Sequence, residues 1–298
     1  MPPVHLPVLA AEVLACLLPR SGGRYLDATV GAGGHAVALL EASAPAGVLV
    51  GIDCDPEALR VAGERLAGFG PRVRLLHGRH EALTQLLDPA ERFDGILFDL
   101  GASALQLDTA ERGFSFAREG PLDMRMDPTR GPTAAELLER LPEQALADLI
   151  YRWGEERFSR RLARAVVEAR REAPVLSTTA LAALVARAIP RGKWPRKIHP
   201  ATRTFQALRI AVNEELTGLA AALTAAAGFL GLGGRLVAIS FHSLEDRIVK
   251  HTWRTLEAAG RVRVLTRRPI IPGDAEMDCN PRARSAKLRA LEYLPEAN

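Results

Sequence analysis

By type and spacing, a glycine loop and three aspartates are the residues of this chain best suited to hold a nucleotide-like cofactor. The loop is Gly31-Ala32-Gly33-Gly34-His35, and Asp27 stands just ahead of it. Asp53 follows Gly33 by about 20 residues, the spacing at which an acid meets a ribose, and Asp99 ends a later apolar run. Glycines let the backbone turn tightly and approach a ligand where a Cβ would clash. A carboxylate at Asp53 can accept from both ribose hydroxyls. The segment Gly31–Ala36 also fits the dinucleotide fingerprint GxGxxG/A, so the loop alone leaves a nicotinamide cofactor open beside S-adenosylmethionine. Asp27 bears on that choice, because a carboxylate there can pair with the amino group of a methionine moiety and would repel a pyrophosphate. The same residue could also serve simply as a turn or capping acid. His80 follows another apolar run and could flank an adenine or lie at the surface.

A second group of chemical side chains lies at His242, Glu245 and Asp246. Ser243 with Asp246 fits a capping box, so part of this block is expected to start a helix. His242 falls at the carboxyl end of a strand, inside the crevice where open parallel sheets bind ligands. The three cysteines, Cys16, Cys54 and Cys279, have no zinc spacing, which implies a reducing cytoplasm and no structural metal.

The elements that must position these groups follow an α/β rhythm. Apolar runs at Tyr25–Ala28, Val48–Ile52, Val73–Leu76 and Gly95–Phe98 alternate with helical stretches beginning near His35, Pro56 and Glu81. Asp55-Pro56 is an N-cap acid followed by proline at the first helical position. Short apolar strands alternating with helices imply a parallel sheet covered on both faces. From about Asp108 to Thr202 no strand pattern occurs. A polar loop, Arg112–Arg130, is followed there by helical patterns at Thr133–Glu139, Glu143–Trp153, Ser159–Arg171 and Thr178–Ala188. The rhythm then resumes with one long helix from about Thr204 to Leu230. Strands are expected at Leu236–Phe241, Arg261–Leu265 and Ala290–Leu294, with a helix Ser243–Leu256 between the first two and only the loop Arg267–Arg289 between the last two. The expected architecture is therefore an α/β, seven-stranded Rossmann-like sheet whose last strand is antiparallel, the hallmark of S-adenosylmethionine methyltransferases, with an inserted all-helical domain. The expected boundaries are 1–107 and 203–298 for the two parts of the core and 108–202 for the insertion.

Net charge is +4, but only four of the 39 basic residues are lysine (Lys193, Lys197, Lys250 and Lys287). Arginine's planar fork suits phosphates and can stack on bases, so nucleic acid is a natural partner, although arginine preference in a GC-rich genome gives the same composition. Arg191, Lys193, Arg196, Lys197, His199 and Arg203 cluster beside Trp194, which could stack a base. Arg267, Arg268, Arg282, Arg284, Lys287 and Arg289 form a second cluster. The apolar run Gly218–Gly234 is too short for a confident membrane span and is expected as a buried helix end, so no membrane partner is implied.

Several blocks are specific beyond composition: DLGASALQLDTAERGFSF (Asp99–Phe116), GPLDMRMD (Gly120–Asp127), EERFSRRLARAV (Glu155–Val166), KIHPATRTFQALRIAVNEEL (Lys197–Leu216), ISFHSLEDRIVK (Ile239–Lys250) and NPRARSAKLR (Asn280–Arg289). They resemble the motifs of the bacterial RsmH (MraW) methyltransferases over nearly the whole chain. The resemblance implies methyl transfer from S-adenosylmethionine to N4 of a cytidine in the decoding centre of 16S ribosomal RNA, in the cytoplasm. It places Gly33, Gly34, His35, Asp53, Asp99 and Gln106 at the cofactor, with His80 where the family often has an aromatic residue. The family commonly reads DLGVSSPQLD, whereas this chain has Ala104 and Leu105 for Ser-Pro, which rules out a hydroxyl at 104 and leaves Ser103 and Gln106. Asp99, or a backbone carbonyl near Gly101–Ser103, is expected to accept from the target amine, with Ser103 and His242 as further candidates in catalysis. A nicotinamide-dependent oxidoreductase and a non-catalytic RNA-binding assembly factor are the alternatives. Monomer and homodimer are not distinguished.

Overall fold

The computed structural model describes residues 7–294. They form two compact units, one built from the chain up to Gly101 and again from Leu216 onward, the other from Ala102–Glu215.

The first unit is a seven-stranded sheet of β1 (Arg24–Asp27), β2 (Val48–Asp53), β3 (Val73–His77), β4 (Phe93–Asp99), β5 (Leu230–Ser240), β6 (Val262–Val264) and β7 (Lys287–Tyr293). Its order is β3-β2-β1-β4-β5-β7-β6. The strands from β1 to β5 pair in parallel, while β7 runs antiparallel to both β5 and β6. The common dinucleotide-binding sheet has order 3-2-1-4-5-6. Here a reversed strand is inserted between β5 and β6, which is the methyltransferase arrangement anticipated from the sequence.

Period-two alternation explains how the sheet is covered on both faces. Tyr25, Leu49, Leu97, Val237 and Ile239 join one core with side chains of the helices Ala10–Leu17 and Gly34–Ala42. Leu26, Val50, Ile96, Phe98 and Leu236 join another with the helices Leu219–Gly228 and Ser243–Ala258. No helix among the described residues is long and apolar enough to cross a membrane.

The second unit has its own core, in which Leu146, Ile150, Leu162, Val166, Leu181 and Val185 pack with Phe205 and Leu208. Its helices Ala134–Arg140, Glu143–Gly154, Ser159–Glu172 and Thr178–Ala188 follow the expected pattern closely. The long helix expected from Thr204 to Leu230 is instead two helices, Thr202–Asn213 and Leu219–Gly228, in different units. The second unit therefore runs to Glu215, past the expected limit of 202, because Phe205, Leu208 and Val212 bury in its core. The expected loop Arg267–Arg289 also contains a short helix, Asp274–Cys279, and a 3-10 turn, Pro281–Ser285. Asp274 and Glu276 in the first turn favour this helix start electrostatically.

Asn213 explains where the long apolar pattern breaks. Its Nδ2 donates to the carbonyls of Met124 (2.7 Å) and Arg209 (2.9 Å), and its Oδ1 accepts from the Met126 amide at 2.7 Å. Glu214 then turns left-handed (φ 51°), and Arg209 pairs with Glu215 at 2.8 Å. Met124 is fully buried with φ 64°, a conformation that costs a non-glycine residue. Arg112 braces the same loop by donating to the carbonyls of Arg125 and Met126. Asn213→Ala would leave the Met126 amide and the Met124 carbonyl without these bonds. The expected cost is about 2–3 kcal/mol, read as faster hydrogen exchange at Met126 and a lower urea midpoint; unchanged exchange would remove this role from Asn213.

Candidate active site

Parallel strands bind ligands beyond their carboxyl ends, at the point where strand order reverses. In this sheet that point lies between β1 and β4, and Asp27 and Asp99 are their last residues. Asp27 pairs in register with Leu97, so Asp99 projects two residues further. Asp27 is 1% exposed and its Oδ1 accepts from the Thr29 amide at 3.2 Å. Burial raises its pKa to about 7, against the opposing pull of His35 and of that amide.

His35 is buried beside both acids, with Nε2 3.5 Å from Asp99 Oδ2. Burial disfavours its cation, but the carboxylates of Asp99 and Asp27 outweigh this and hold its pKa above the usual value. The backbone amide of Asp99 donates to Thr29 Oγ1 at 2.6 Å. Asp99 Oδ1 is buried and makes no hydrogen bond among the described residues.

The loop between β1 and the helix Gly34–Ala42 depends on two left-handed glycines, Gly31 (φ 51°) and Gly33 (φ 80°). Gly31 donates its amide to Asp53 Oδ2 at 2.8 Å, and Asp55 donates to Asp53 Oδ1 at 2.9 Å. Burial lifts the Asp53 pKa to about 6, while these amides pull it down. Asp55 caps the helix Pro56–Leu66 by accepting from the Glu57 amide, so Asp53 is not needed as the cap. At Gly34 the constraint is close approach, since a Cβ would meet Pro7 at 3.3 Å. His80 begins the turn after β3 with its ring edge-on to Phe98 at 5.7 Å. Its Nε2 is buried without a hydrogen bond among the described residues, and burial pushes its pKa down.

Asp27, Gly33, Gly34, His35, Asp53, His80 and Asp99 thus all stand at or just after carboxyl ends of strands in the first unit. Their balance is acidic, which suits a ligand carrying positive charge and disfavours a pyrophosphate. Thr29 is absent from the expected residues, yet its hydroxyl ties the ends of β1 and β4 together through the Asp99 amide. Its place two residues after Asp27, as a hydroxyl in a strand-end turn, is the available signal.

Other expected residues are engaged differently. Ser103 and Gln106 lie in the second unit and form a reciprocal capping box on the helix Ala104–Asp108, at 3.0 and 3.2 Å. The box expected at Ser243 and Asp246 is displaced by one residue. His242 is the N-cap: its Nδ1 accepts from the Glu245 amide, and Glu245 Oε2 accepts from the amides of His242 (3.3 Å) and Phe241 (2.8 Å). Asp246 is drawn instead to Arg289 (2.7 Å) and Lys287 (3.4 Å) on β7. Arg289 is consequently buried rather than part of an exposed basic cluster. Trp194 packs on the second core with its indole N–H donated to the Ile189 carbonyl, and His199 lies against Phe116. The indole's exposure for base stacking is correspondingly reduced. Arg191, Lys193, Arg196, Lys197, Arg267 and Arg268 remain exposed.

The model of the MraW methylase family matches residues 3–294. The ribosomal RNA small subunit methyltransferase H of Pelobacter propionicus is 52% identical, with 97% of this chain and 98% of that protein covered. The protein of the same name from Geobacter sulfurreducens is 51% identical over 97% of this chain and 99% of its own, and that of Geotalea uraniireducens is 49% identical over 97% and 98%. A sheet with a reversed β7, an acidic crevice at the β1–β4 switch and similarity along nearly every residue lead to one conclusion: the chain belongs to the MraW methylase family.

Proposed function

We propose that this protein uses S-adenosylmethionine to methylate N4 of a cytidine in the decoding centre of 16S ribosomal RNA, acting in the cytoplasm on the small subunit or its RNA. The observation that carries the substrate is the roughly half-identical, full-length similarity to proteins named ribosomal RNA small subunit methyltransferase H. The residues at the β1–β4 crevice fit the cofactor. The left-handed Gly31 and Gly33 provide a cradle without Cβ atoms, and three strand-end carboxylates suit a ligand bearing an ammonium and a sulfonium.

In this assignment Asp27 pairs with the ammonium of the methionine moiety. Asp53 accepts from the ribose hydroxyls with the lone pairs not used by the Gly31 and Asp55 amides. His80 flanks the adenine, and the glycine loop with His35 lies along the cofactor. The family motif assigns Gln106 a cofactor contact, and Ser103 caps the short helix that carries it. When bound, the cofactor supplies an electrophilic methyl group. Cytosine N4 is a weak nucleophile because its lone pair is delocalised into the ring, so aiming and charge stabilisation carry the catalysis. His35 Nε2 stands 3.5 Å from Asp99 Oδ2, and Oδ1, which makes no hydrogen bond among the described residues, is the acceptor for an amine hydrogen. Oδ1 thereby stabilises the positive charge that develops on nitrogen. The base must be unpaired or flipped out to reach such a crevice. The second unit supplies substrate recognition, and the exposed cations near its end bind phosphates. His242 holds its helix rather than the reacting atoms.

Mass mapping of the modified nucleoside in small-subunit RNA, with and without the protein, tests the assignment as a whole. Asp99→Asn should lower kcat by about 100-fold, beyond any loss of cofactor affinity. A mutant with wild-type kcat would remove the proposed carboxylate role.

Asp27 also predicts a pH dependence. Its pKa of about 7 lies above the ordinary 3.8, so in the protein alone its contribution to stability is present below pH ~4 and lost as pH rises through ~7. Pairing with an ammonium requires the ionised form. Calorimetric affinity for S-adenosylmethionine should therefore rise between about pH 5.5 and 8, by up to about tenfold per unit below 7, and flatten in Asp27→Asn. A flat wild-type profile would contradict the pairing.

A further inference from the structure

A pocket of about 360 Å³ opens beside the end of β5 in the first unit. It lies on the β7 side of β5, whereas Asp99 ends β4 on the other side. Its lining runs from the residues just after β5, one strand spacing from β4, to Lys287 on β7, two spacings or about 10 Å away, so the pocket extends away from Asp99.

One wall is apolar and held in place. Ile270 exchanges backbone hydrogen bonds with Leu288 at 2.9 and 2.8 Å, which fixes the segment that presents Ile271. Ile271 is 64% exposed, and Pro272 and Met277 continue the wall. Phe241 adds an aromatic side chain. The opposite character comes from Ser243, Ser285, Arg284 and Lys287. Arg284 is exposed on the turn Pro281–Ser285, which the buried Ala283 and Ala286 anchor.

His242 also lines the pocket. Its side chain is 8% exposed, and its Nε2 stands at ion-pair distance, 3.1 Å, from Glu245 Oε1, without a well-formed hydrogen bond among the described residues.

Apolar side chains with an aromatic ring, hydroxyls, a buried imidazole and the cations Arg284 and Lys287 (the latter also paired with Asp246) match a flat heterocycle joined to a phosphate. The volume is at the low end of ligand sites, enough for one nucleotide and too small for a duplex. Single-stranded RNA is characteristically held by such stacking and edge contacts. We propose that this pocket holds one unpaired nucleotide of the RNA strand, next to the methylated cytidine, with its base on the Phe241–Ile271 side and its phosphate at Arg284 and Lys287. This rests on the proposed function and adds a second point of grip on the same strand.

Ile271→Glu and Arg284→Ala alter exposed side chains and should leave the fold intact by circular dichroism. In steady-state methylation of small-subunit RNA, each should raise KM for RNA by about tenfold, with kcat and S-adenosylmethionine affinity unchanged. RNA made abasic beside the target cytidine should bind the wild-type protein about tenfold more weakly, yet bind Ile271→Glu no worse than intact RNA does. Unchanged KM in both variants would overturn the pocket's role. A fall in kcat at constant KM would overturn it too, by assigning the pocket to the reacting base. Failure of the wild-type protein to methylate the RNA at all would overturn the proposed function instead.

Discussion

The burial of acidic side chains at the ends of adjacent parallel strands is the constraint on which the site depends. Asp27 and Asp53 stand where burial works against their charge, and their pKa values are accordingly raised to about 7 and about 6. The fold limits the cost with local donors: the Thr29 amide for Asp27, the Gly31 and Asp55 amides for Asp53, and His35 beside Asp99. These donors fix the carboxylates in place before any ligand arrives, and preorganised groups of this kind avoid reorganisation cost.

The sheet makes this arrangement possible because its central strands are covered on both faces by separate apolar cores. Parallel strands with two buried faces bring their carboxyl ends to one edge, so residues far apart in sequence meet there. Thr29 links two of those ends directly through its hydroxyl and the Asp99 amide. The inserted unit follows a different logic. Its helices pack around their own core, and its long polar loop is held by Arg112 and Asn213 rather than by apolar burial.

Local signals made much of this legible. The seven strands, the Asp55-Pro56 helix start and the four helices of the insertion follow from periodicity and capping chemistry. The glycine loop was visible because only glycine adopts its left-handed turns at low cost. Less legible were features set by partners distant in sequence. Asn213 interrupts an otherwise continuous helical pattern because carbonyls and amides nearly ninety residues earlier compete for its side chain. His242 takes the cap position because Asp246 is claimed by Arg289. The same pairing withdraws Arg289 from the basic surface that composition suggests.

The sequence by itself determined the fold class, the order of the elements, the identity of the loop and its acids, and, through its long motif blocks, the family. Those depend on short-range patterns and on residue types that carry their chemistry wherever they sit. Only the tertiary structure decided that His35 stands 3.5 Å from one Asp99 oxygen while the other makes no hydrogen bond among the described residues, that Ser103 and Gln106 cap each other, and that a pocket opens on the β7 side of β5. These outcomes depend on which groups compete for the same donor or acceptor once the chain has folded, and no local pattern encodes that competition.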